Sequence, residues 1–451
     1  MSTLLLALAL GSAFYATTLS RSTGLGVVLV VGYFYGIIRG NLTGGYTHFL
    51  FDAAVVGYYS ALLFGKWTKK PENVYQKKVR DWFVVLVGWT LVMFLIPMQD
   101  FRVQLVGLRG NCFFLPFLLV GSRLEDHEAE RLSIWLASLN LIAIGFAVAQ
   151  FVIGVPAFFP DNEINKIIHA SHDASGSYRI PATFANAHSF GGMMAMTLPW
   201  LLAAWTQKRQ DFLIRTLLMA AILAAIIGVF MSAARTAVIE LAIIVLVATL
   251  SGRMPPIFQT VWVFLLAGAA SIVRNEDRFQ RFMTLFDSDQ VVDRIKGSVN
   301  ISLFDLFCTY PMGNGLGAGG TSLPYFLTYL VINPIGLESE YSRILLELGI
   351  PGLLLWAGFI VRFLWHFPTG KHDPWIFCRQ LLWFAALFQF GNGLVGIGMM
   401  TAIPQSAMLL LGIGFAATPR IPDRRATGAK ETTQHLRRPT AAEREPSATL
   451  Q

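Results

Sequence analysis

The segment 294–352 differs from the rest of this sequence because it is long, polar and rich in glycine and charged residues. It begins with RIKGSVNISLFDLF (294–307), continues through PMGNGLG (311–317) and ends with ESEYSRILLELGIPG (338–352). On both sides of it the chain is almost continuously apolar. A protein made mainly of transmembrane helices does not need such a segment to fold, so the segment predicts where the function resides.

Apolar runs make up most of the remaining sequence and define the fold class. Of the 451 residues, 54% are hydrophobic and 14% are charged, whereas soluble domains carry about 25% charged residues. A run of roughly 20 apolar residues crosses the hydrocarbon core of a membrane. Such runs lie at about 3–20, 24–39, 46–64, 82–99, 101–121, 132–153, 188–205, 212–231, 235–251, 255–272, 343–364, 377–398 and 402–418. We therefore predict an all-α integral membrane protein with 12 or 13 transmembrane helices. The first run is short, and the last is also compatible with a re-entrant segment.

Lys and Arg residues between the apolar runs predict the orientation in the membrane. Three basic segments alternate onto one face, which we predict to be cytoplasmic: 65–81, 206–215 and the tail from Arg420. The opposite face then receives 40–45, 154–187 and 273–342. The N-terminus is outside if there are 13 spans. With 12 spans, the first run is re-entrant or interfacial.

This pattern predicts one polytopic membrane domain over 1–419, with an extracytoplasmic segment at 273–342 that contains short helices. The tail 420–451 is basic, poor in aromatic residues and without helical periodicity, so we predict that it is disordered and cytoplasmic. The net charge of +8 is explained by orientation and by contact with anionic membrane lipids. Nucleic acid is not an expected partner.

Sequence motifs of soluble enzymes are missing from the chain. There is no P-loop, no HExxH and no CxxC pair, and three cysteines do not make a disulfide framework. Asp287 and Asp289 come closest to a metal-binding pair, but an isolated DSD in a polar loop is usually solvated. We predict no metal site and no cofactor, so any chemistry must depend on charged side chains at the membrane boundary.

Arginines in the outer parts of the spans are the first candidates for function. Arginine is suited to bidentate contacts with phosphate, and we predict a diphosphate-binding set of Arg102, Arg109, Arg179, Arg235 and Arg294. Alternatives remain open for individual members. Arg235 is also compatible with an interface anchor or an ion pair with Glu240, Arg179 with a helix-entry loop, and Arg294 with a solvated helix face.

Two acidic residues, Glu338 and Glu340, precede a helix that we expect to begin near Tyr341 or Ser342. Acids in the first turn of a helix are stabilised by its dipole, which is one explanation for both. The alternative is that one of them is a general base that accepts the proton of a substrate hydroxyl. The sequence does not decide which glutamate would act.

Several of these residues together resemble the O-antigen ligase and O-antigen polymerase superfamily of bacterial membrane proteins. The matching residues are Arg179, Thr183-Phe184, Asn186 and Gly191, then Ala234-Arg235-Thr236 with a displaced Ser232, then Arg294 ahead of Pro311, Gly315 and Gly317. The resemblance covers about 179–364, and the first half only in topology. It implies a GT-C-like fold and metal-independent glycosyl transfer from a polyprenyl-diphosphate-linked glycan at the outer face of the cytoplasmic membrane.

One position departs from the ligase pattern. Ligases have a histidine nine residues before a glutamate, and counting back from Glu347 places Glu338 there. The resemblance therefore favours a polymerase of lipid-linked repeat units over an O-antigen ligase, and a chain-length regulator or another assembly protein is an expected partner. A lipid-linked glycan transporter is a further alternative, although the long external segment fits it poorly.

Overall fold

Helices are the regular elements of the fold. The computed structural model describes residues 2–42, 44–65, 71–170, 178–207, 211–255, 260, 303–320, 323–337, 339–370 and 373–419. Within these ranges every regular element is a helix, as the apolar composition predicts. Arg294, Glu338, Asp287 and Asp289 lie outside the described residues, as do 273–302, 321–322 and the tail 420–451.

The main helices follow the apolar runs closely. They are α1 (Ser2–Leu19), α2 (Arg21–Asn41), α3 (Leu50–Phe64), α4 (Val74–Phe94), α5 (Phe101–Cys112), α6 (Pro116–Ser122), α7 (Asp126–Ile153), α8 (Lys166–His169), α9 (Ala187–Trp205), α10 (Phe212–Met231), α11 (Arg235–Leu250), α12 (Leu303–Thr309), α13 (Glu340–Leu364), α14 (Ile376–Asn392) and α15 (Gln405–Ala416). Short 3-10 turns lie at Gly45–Phe49, Val155–Ala157 and Tyr325–Leu330. Only the predicted run 255–272 lies almost wholly outside the described residues.

Within the described residues, seven helical segments are long and apolar enough to cross a membrane: α1, α2, Gly45–Phe64, Phe101–Ser122, α7, α10 and α13. The protein is therefore a helical chain with multiple potential membrane spans, as predicted. Several helix boundaries differ from the apolar runs, and two of them have a clear local cause. Helix α4 begins eight residues before the run at 82–99 because Asn73 and Gln76 form a capping box at its start. The run 101–121 is divided between α5 and α6, which begins at Pro116.

Small residues let the helices approach one another closely, as is typical of helix contacts in membranes. Gly121 of α6 and Gly414 of α15 face each other's helices. A Cβ atom at Gly121 would lie 2.0 Å from the carbonyl oxygen of Leu411, and one at Gly414 would lie 2.1 Å from that of Leu118. These two helices therefore pack backbone to backbone.

The glycine-rich loop 311–320 packs against α5, as its composition predicts for a close backbone approach. A Cβ atom at Gly107 would lie 2.2 Å from the backbone nitrogen of Gly317, which itself has a φ of +82°. Beyond this loop, α13 begins with Ser339 as its N-cap and bends at Gly349, where φ is +69°. The loop thus connects α5 to the first half of α13.

Candidate functional site

A large cavity lies where the ends of α2, α9, α11 and α14 meet the segment around Pro324. Its volume is about 1590 Å³. Its cationic lining residues are Arg39, Arg109, Lys166, Arg179 and Arg235, and its acidic ones are Glu163 and Glu240. We call this space the arginine cavity. Because the cations outnumber the acids, it suits an anionic ligand.

Three of the five arginines that the sequence predicts line this cavity together, namely Arg109, Arg179 and Arg235. They belong to different parts of the chain: Arg109 lies in the last turn of α5, Arg179 in the segment before α9, and Arg235 at the start of α11. Arg102 is exposed and is not among the lining residues. Arg294 lies outside the described residues, so its place in the set stays a prediction.

Helix starts position two of these arginines. Helix α9 begins at Ala187, where the side chain of Asn186 accepts a hydrogen bond from the backbone nitrogen of Ser189 at 2.8 Å. This start places His188 beside Arg179, whose Nη1 lies 2.9 Å from His188 Nε2. An arginine side chain only donates hydrogen bonds, so the imidazole nitrogen accepts. The contact orients the Arg179 guanidinium in the cavity wall.

Helix α11 begins at Arg235 after a tight turn. Ala233 in this turn has a φ of +50°, a left-handed conformation that is uncommon for a residue with a side chain. The hydroxyl of Ser232 accepts a hydrogen bond from the backbone nitrogen of Ala234 at 3.2 Å. The turn reverses the chain after α10 and places Arg235 at the start of the next helix, in the lining of the arginine cavity.

Arg109 is held by a counter-ion. Its Nε and Nη2 donate to the two carboxylate oxygens of Asp52, at 2.6 Å and 2.8 Å. Asp52 is only 8% exposed. This bidentate pair fixes the guanidinium and neutralises much of its charge, so Arg109 attracts an anion less strongly than an arginine without a carboxylate partner.

Sequence reasoning missed Arg39, which lies near the end of α2. Its guanidinium carbon is 5.5 Å from the centre of the Tyr35 ring, and its Nη1 donates to the Tyr35 hydroxyl at 3.4 Å. A basic residue at the outer end of an apolar run was the signal that could have identified it. Arg39 was not singled out because a basic residue in the last turn of a helix is common.

Glu340 lies in a buried ion triad rather than in the cavity lining. Arg343 donates from Nη2 to Glu340 Oε1 at 2.7 Å and from Nη1 to Glu347 Oε2 at 2.8 Å. All three side chains are at most 1% exposed. The second oxygen of Glu340 accepts a hydrogen bond from the backbone nitrogen of Gly398 at 2.9 Å. In this arrangement Glu340 connects α13 to the segment 393–402, part of which lines the cavity.

A second acidic residue, Glu240, lies in the cavity wall. The sequence identified it only as an alternative partner for Arg235. Gln389 Nε2 donates to Glu240 Oε2 at 2.8 Å, and both residues line the cavity. The other oxygen, Oε1, is buried and makes no hydrogen bond within the described part of the chain. Glu240 is 1% exposed.

Comparisons with known proteins place the chain in no family. No protein-family model matches the chain, and no curated protein is similar to it in sequence. The residues and geometry of the arginine cavity therefore carry the functional information. Among the described residues, no three His, Cys, Asp or Glu side chains form a group that could hold a metal ion.

Proposed function

We propose that this protein is a membrane glycosyltransferase of the GT-C-like type that polymerises polysaccharide repeat units. Its substrates are glycans linked to a polyprenyl diphosphate, at the outer face of the bacterial cytoplasmic membrane. The observation behind this proposal is the arginine cavity, where Arg109, Arg179 and Arg235 from three separate segments line one space. Several arginines converging on one site are typical of phosphate recognition.

The volume of the cavity is compatible with a substrate larger than an ordinary small-molecule ligand. Its volume of about 1590 Å³ exceeds the roughly 300–1,000 Å³ that is usual for small-molecule sites. In this proposal the seven long apolar helices and the remaining predicted runs all cross the membrane, giving 12 or 13 spans. The arginine cavity then lies near the outer boundary, where the diphosphate of a polyprenyl carrier also lies.

Arg179 and Arg235 are the proposed primary ligands of the diphosphate, with Arg39 beside them. Arg109 has a smaller role because Asp52 occupies two of its donors. Arg294 would complete the set from the external segment. The arginines compensate the negative charge that develops on the leaving group, a stabilisation that metal ions provide in other transferases.

The proposed reaction is displacement at the anomeric carbon of the donor sugar. A hydroxyl oxygen of the acceptor unit forms the new glycosidic bond while the bond between the anomeric carbon and the phosphate oxygen breaks. Polyprenyl diphosphate leaves with the electron pair, and the anomeric configuration is inverted. Glu338 is the proposed base that accepts the hydroxyl proton. Glu340 has a supporting role, because both of its oxygens already accept hydrogen bonds.

Polymerase and ligase differ in the acceptor, so glycan profiles distinguish them. We would delete the gene and separate the lipid-linked and surface glycans by size. Accumulation of a single lipid-linked repeat unit, with no ladder of longer products, is the result expected for a polymerase. Full-length lipid-linked polymer that never reaches its acceptor would identify a ligase, and an unchanged profile would exclude both.

Complementation of the deletion strain then tests the cavity itself. We expect Arg235→Ala and Arg179→Ala to reduce polymer formation about tenfold to hundredfold, because each removes charge-assisted hydrogen bonds to the diphosphate. Arg131→Ala is the matched control, since Arg131 is an exposed arginine of α7 that does not line the cavity. Equal activity of all three variants would refute the proposed diphosphate site.

A further inference from the structure

Glu240 occupies an unusual position for an acidic residue in an apolar helix. It is 1% exposed, and taking a carboxyl group out of water costs several kcal/mol in general unless its hydrogen bonds are replaced. Only Oε2 has a donor among the described residues, the side chain of Gln389 at 2.8 Å. Oε1 is buried, without a hydrogen-bond partner in those same ranges. A carboxyl oxygen held in this way in a cavity wall is suited to accept a hydrogen bond from a ligand.

The surroundings of Glu240 differ in character from the arginine-lined part of the cavity. Gln389 and Asn392 lie three residues apart on α14, so they share one face of that helix, and both line the cavity. Gln405 and Thr401 line it as well. Amide and hydroxyl side chains both donate and accept hydrogen bonds. This neutral polar surface suits the hydroxyl groups of a sugar better than it suits a phosphate.

The spacing along α11 relates the two parts of the cavity. Arg235 is the first residue of α11, and Glu240 is five residues further on, which corresponds to about 7.5 Å along the helix axis. Both residues line the same cavity, and a sugar is bonded directly to the diphosphate that carries it. One lipid-linked sugar could therefore contact both residues at once.

We propose that Glu240, Gln389 and Asn392 form a subsite that binds hydroxyl groups of the sugar attached to the diphosphate. Glu240 Oε1 accepts a hydrogen bond from one sugar hydroxyl, and Gln389 is a positioning residue that holds the carboxyl group in place. This inference rests on the proposed function, because it assigns the sugar end of the same lipid-linked donor.

The test compares Glu240→Leu with Glu240→Gln. Leucine removes the acceptor, whereas glutamine keeps a carbonyl oxygen of similar reach. In the complemented deletion strain, we expect Glu240→Leu to reduce polymer formation about tenfold and Glu240→Gln to stay within about threefold of wild type. Purified Glu240→Leu should bind farnesyl diphosphate, a probe with no sugar, as tightly as wild type, whereas Arg235→Ala should not.

Controls separate this inference from folding effects. Thr249→Val alters a polar residue of the same helix whose hydroxyl donates to the backbone of Val245, and Thr249 does not line the cavity. It should behave as wild type. If Glu240→Leu is poorly folded in thermal unfolding, Asn392→Ala replaces it, since Asn392 is only half-buried. Asn392→Ala should also reduce polymer formation without weakening the binding of farnesyl diphosphate.

Three results would overturn the subsite. The first is wild-type polymer formation by Glu240→Leu, or by Asn392→Ala where it is used. The second is loss of farnesyl diphosphate binding in the same variant, which would assign Glu240 to the diphosphate site. The third is a Glu240→Gln variant as inactive as Glu240→Leu, which would indicate proton transfer rather than recognition. Failure of the wild-type protein to bind farnesyl diphosphate would refute the proposed function and the subsite with it.

Discussion

The buried triad of Glu340, Arg343 and Glu347 allows a sharp stability prediction. Arg343 is wholly buried and donates to both glutamates, at 2.7 Å and 2.8 Å, and also to Asn111 at 3.2 Å. Arg343→Met removes the single cation and leaves two buried carboxylates facing each other. Removing one partner of a buried ion pair generally costs about 3–5 kcal/mol, and here the repulsion between the carboxylates adds to that cost.

Glu347→Gln is the matched comparison because it removes a charge from the same triad. The triad contains two formal negative charges and one positive charge, so this variant leaves a neutral Glu340–Arg343 pair. The glutamine carbonyl oxygen can still accept the hydrogen bonds that Arg343 and Asn111 donate to Glu347 Oε2. We therefore expect a loss of less than about 1.5 kcal/mol for Glu347→Gln.

Thermal unfolding in detergent, followed by tryptophan fluorescence, measures the difference. We expect the apparent Tm of Arg343→Met to fall by on the order of 5–10 °C, and that of Glu347→Gln by no more than about 3 °C. Arg343→Met should also weaken the binding of farnesyl diphosphate, because Glu340 holds the segment 393–402 through Gly398. Equal Tm values for the two variants would refute the charge argument. A larger fall in Tm for Glu347→Gln than for Arg343→Met would mean that Glu347, rather than the charge of Arg343, stabilises the triad.

Two further predictions concern Asp52 and Gly107. Asp52→Asn removes the counter-ion of Arg109, so we expect a lower Tm and tighter binding of farnesyl diphosphate. The gain in affinity should shrink as salt is added, because salt screens the charge of Arg109. If the variant binds farnesyl diphosphate more weakly than wild type at low salt, the role assigned to Asp52 is wrong. Gly107→Ala places a methyl group 2.2 Å from the backbone of Gly317 and should destabilise the protein by roughly 1–3 kcal/mol, seen as a lower Tm. Gly88→Ala is the control, since a Cβ atom at Gly88 meets nothing within 4 Å. A similar Tm for the two variants would contradict the close packing of the loop 311–320 on α5.

The positions of the helices followed from the sequence because membrane-spanning runs have a length set by the hydrocarbon core. Their exact boundaries depended on local chemistry that hydropathy does not report. Helix α4 extends into a polar stretch because of its capping box at Asn73 and Gln76. The division between α5 and α6 coincides with Pro116, which cannot lie in a helix interior without removing a hydrogen bond.

The arginines show how far residue-level prediction reached. Arg102 and Arg109 are seven residues apart on α5, two turns along nearly the same face, so helix periodicity does not distinguish them. The structure exposes Arg102 and pairs Arg109 with Asp52 from α3. A contact between residues 57 positions apart depends on how the helices pack, which periodicity within one helix does not report.

The sequence alone determined that this is a helical chain with several potential membrane spans. Composition and the length of the apolar runs suffice for this, since both can be measured on the sequence without knowing which helices are in contact. Only the tertiary structure decided which charged groups share a space. It placed Arg109, Arg179 and Arg235 around one cavity, joined Glu240 to Gln389 across 149 residues, and paired Arg109 with Asp52 of another helix. These arrangements arise from helix packing, because a buried charge is tolerated only where a partner from elsewhere in the fold meets it.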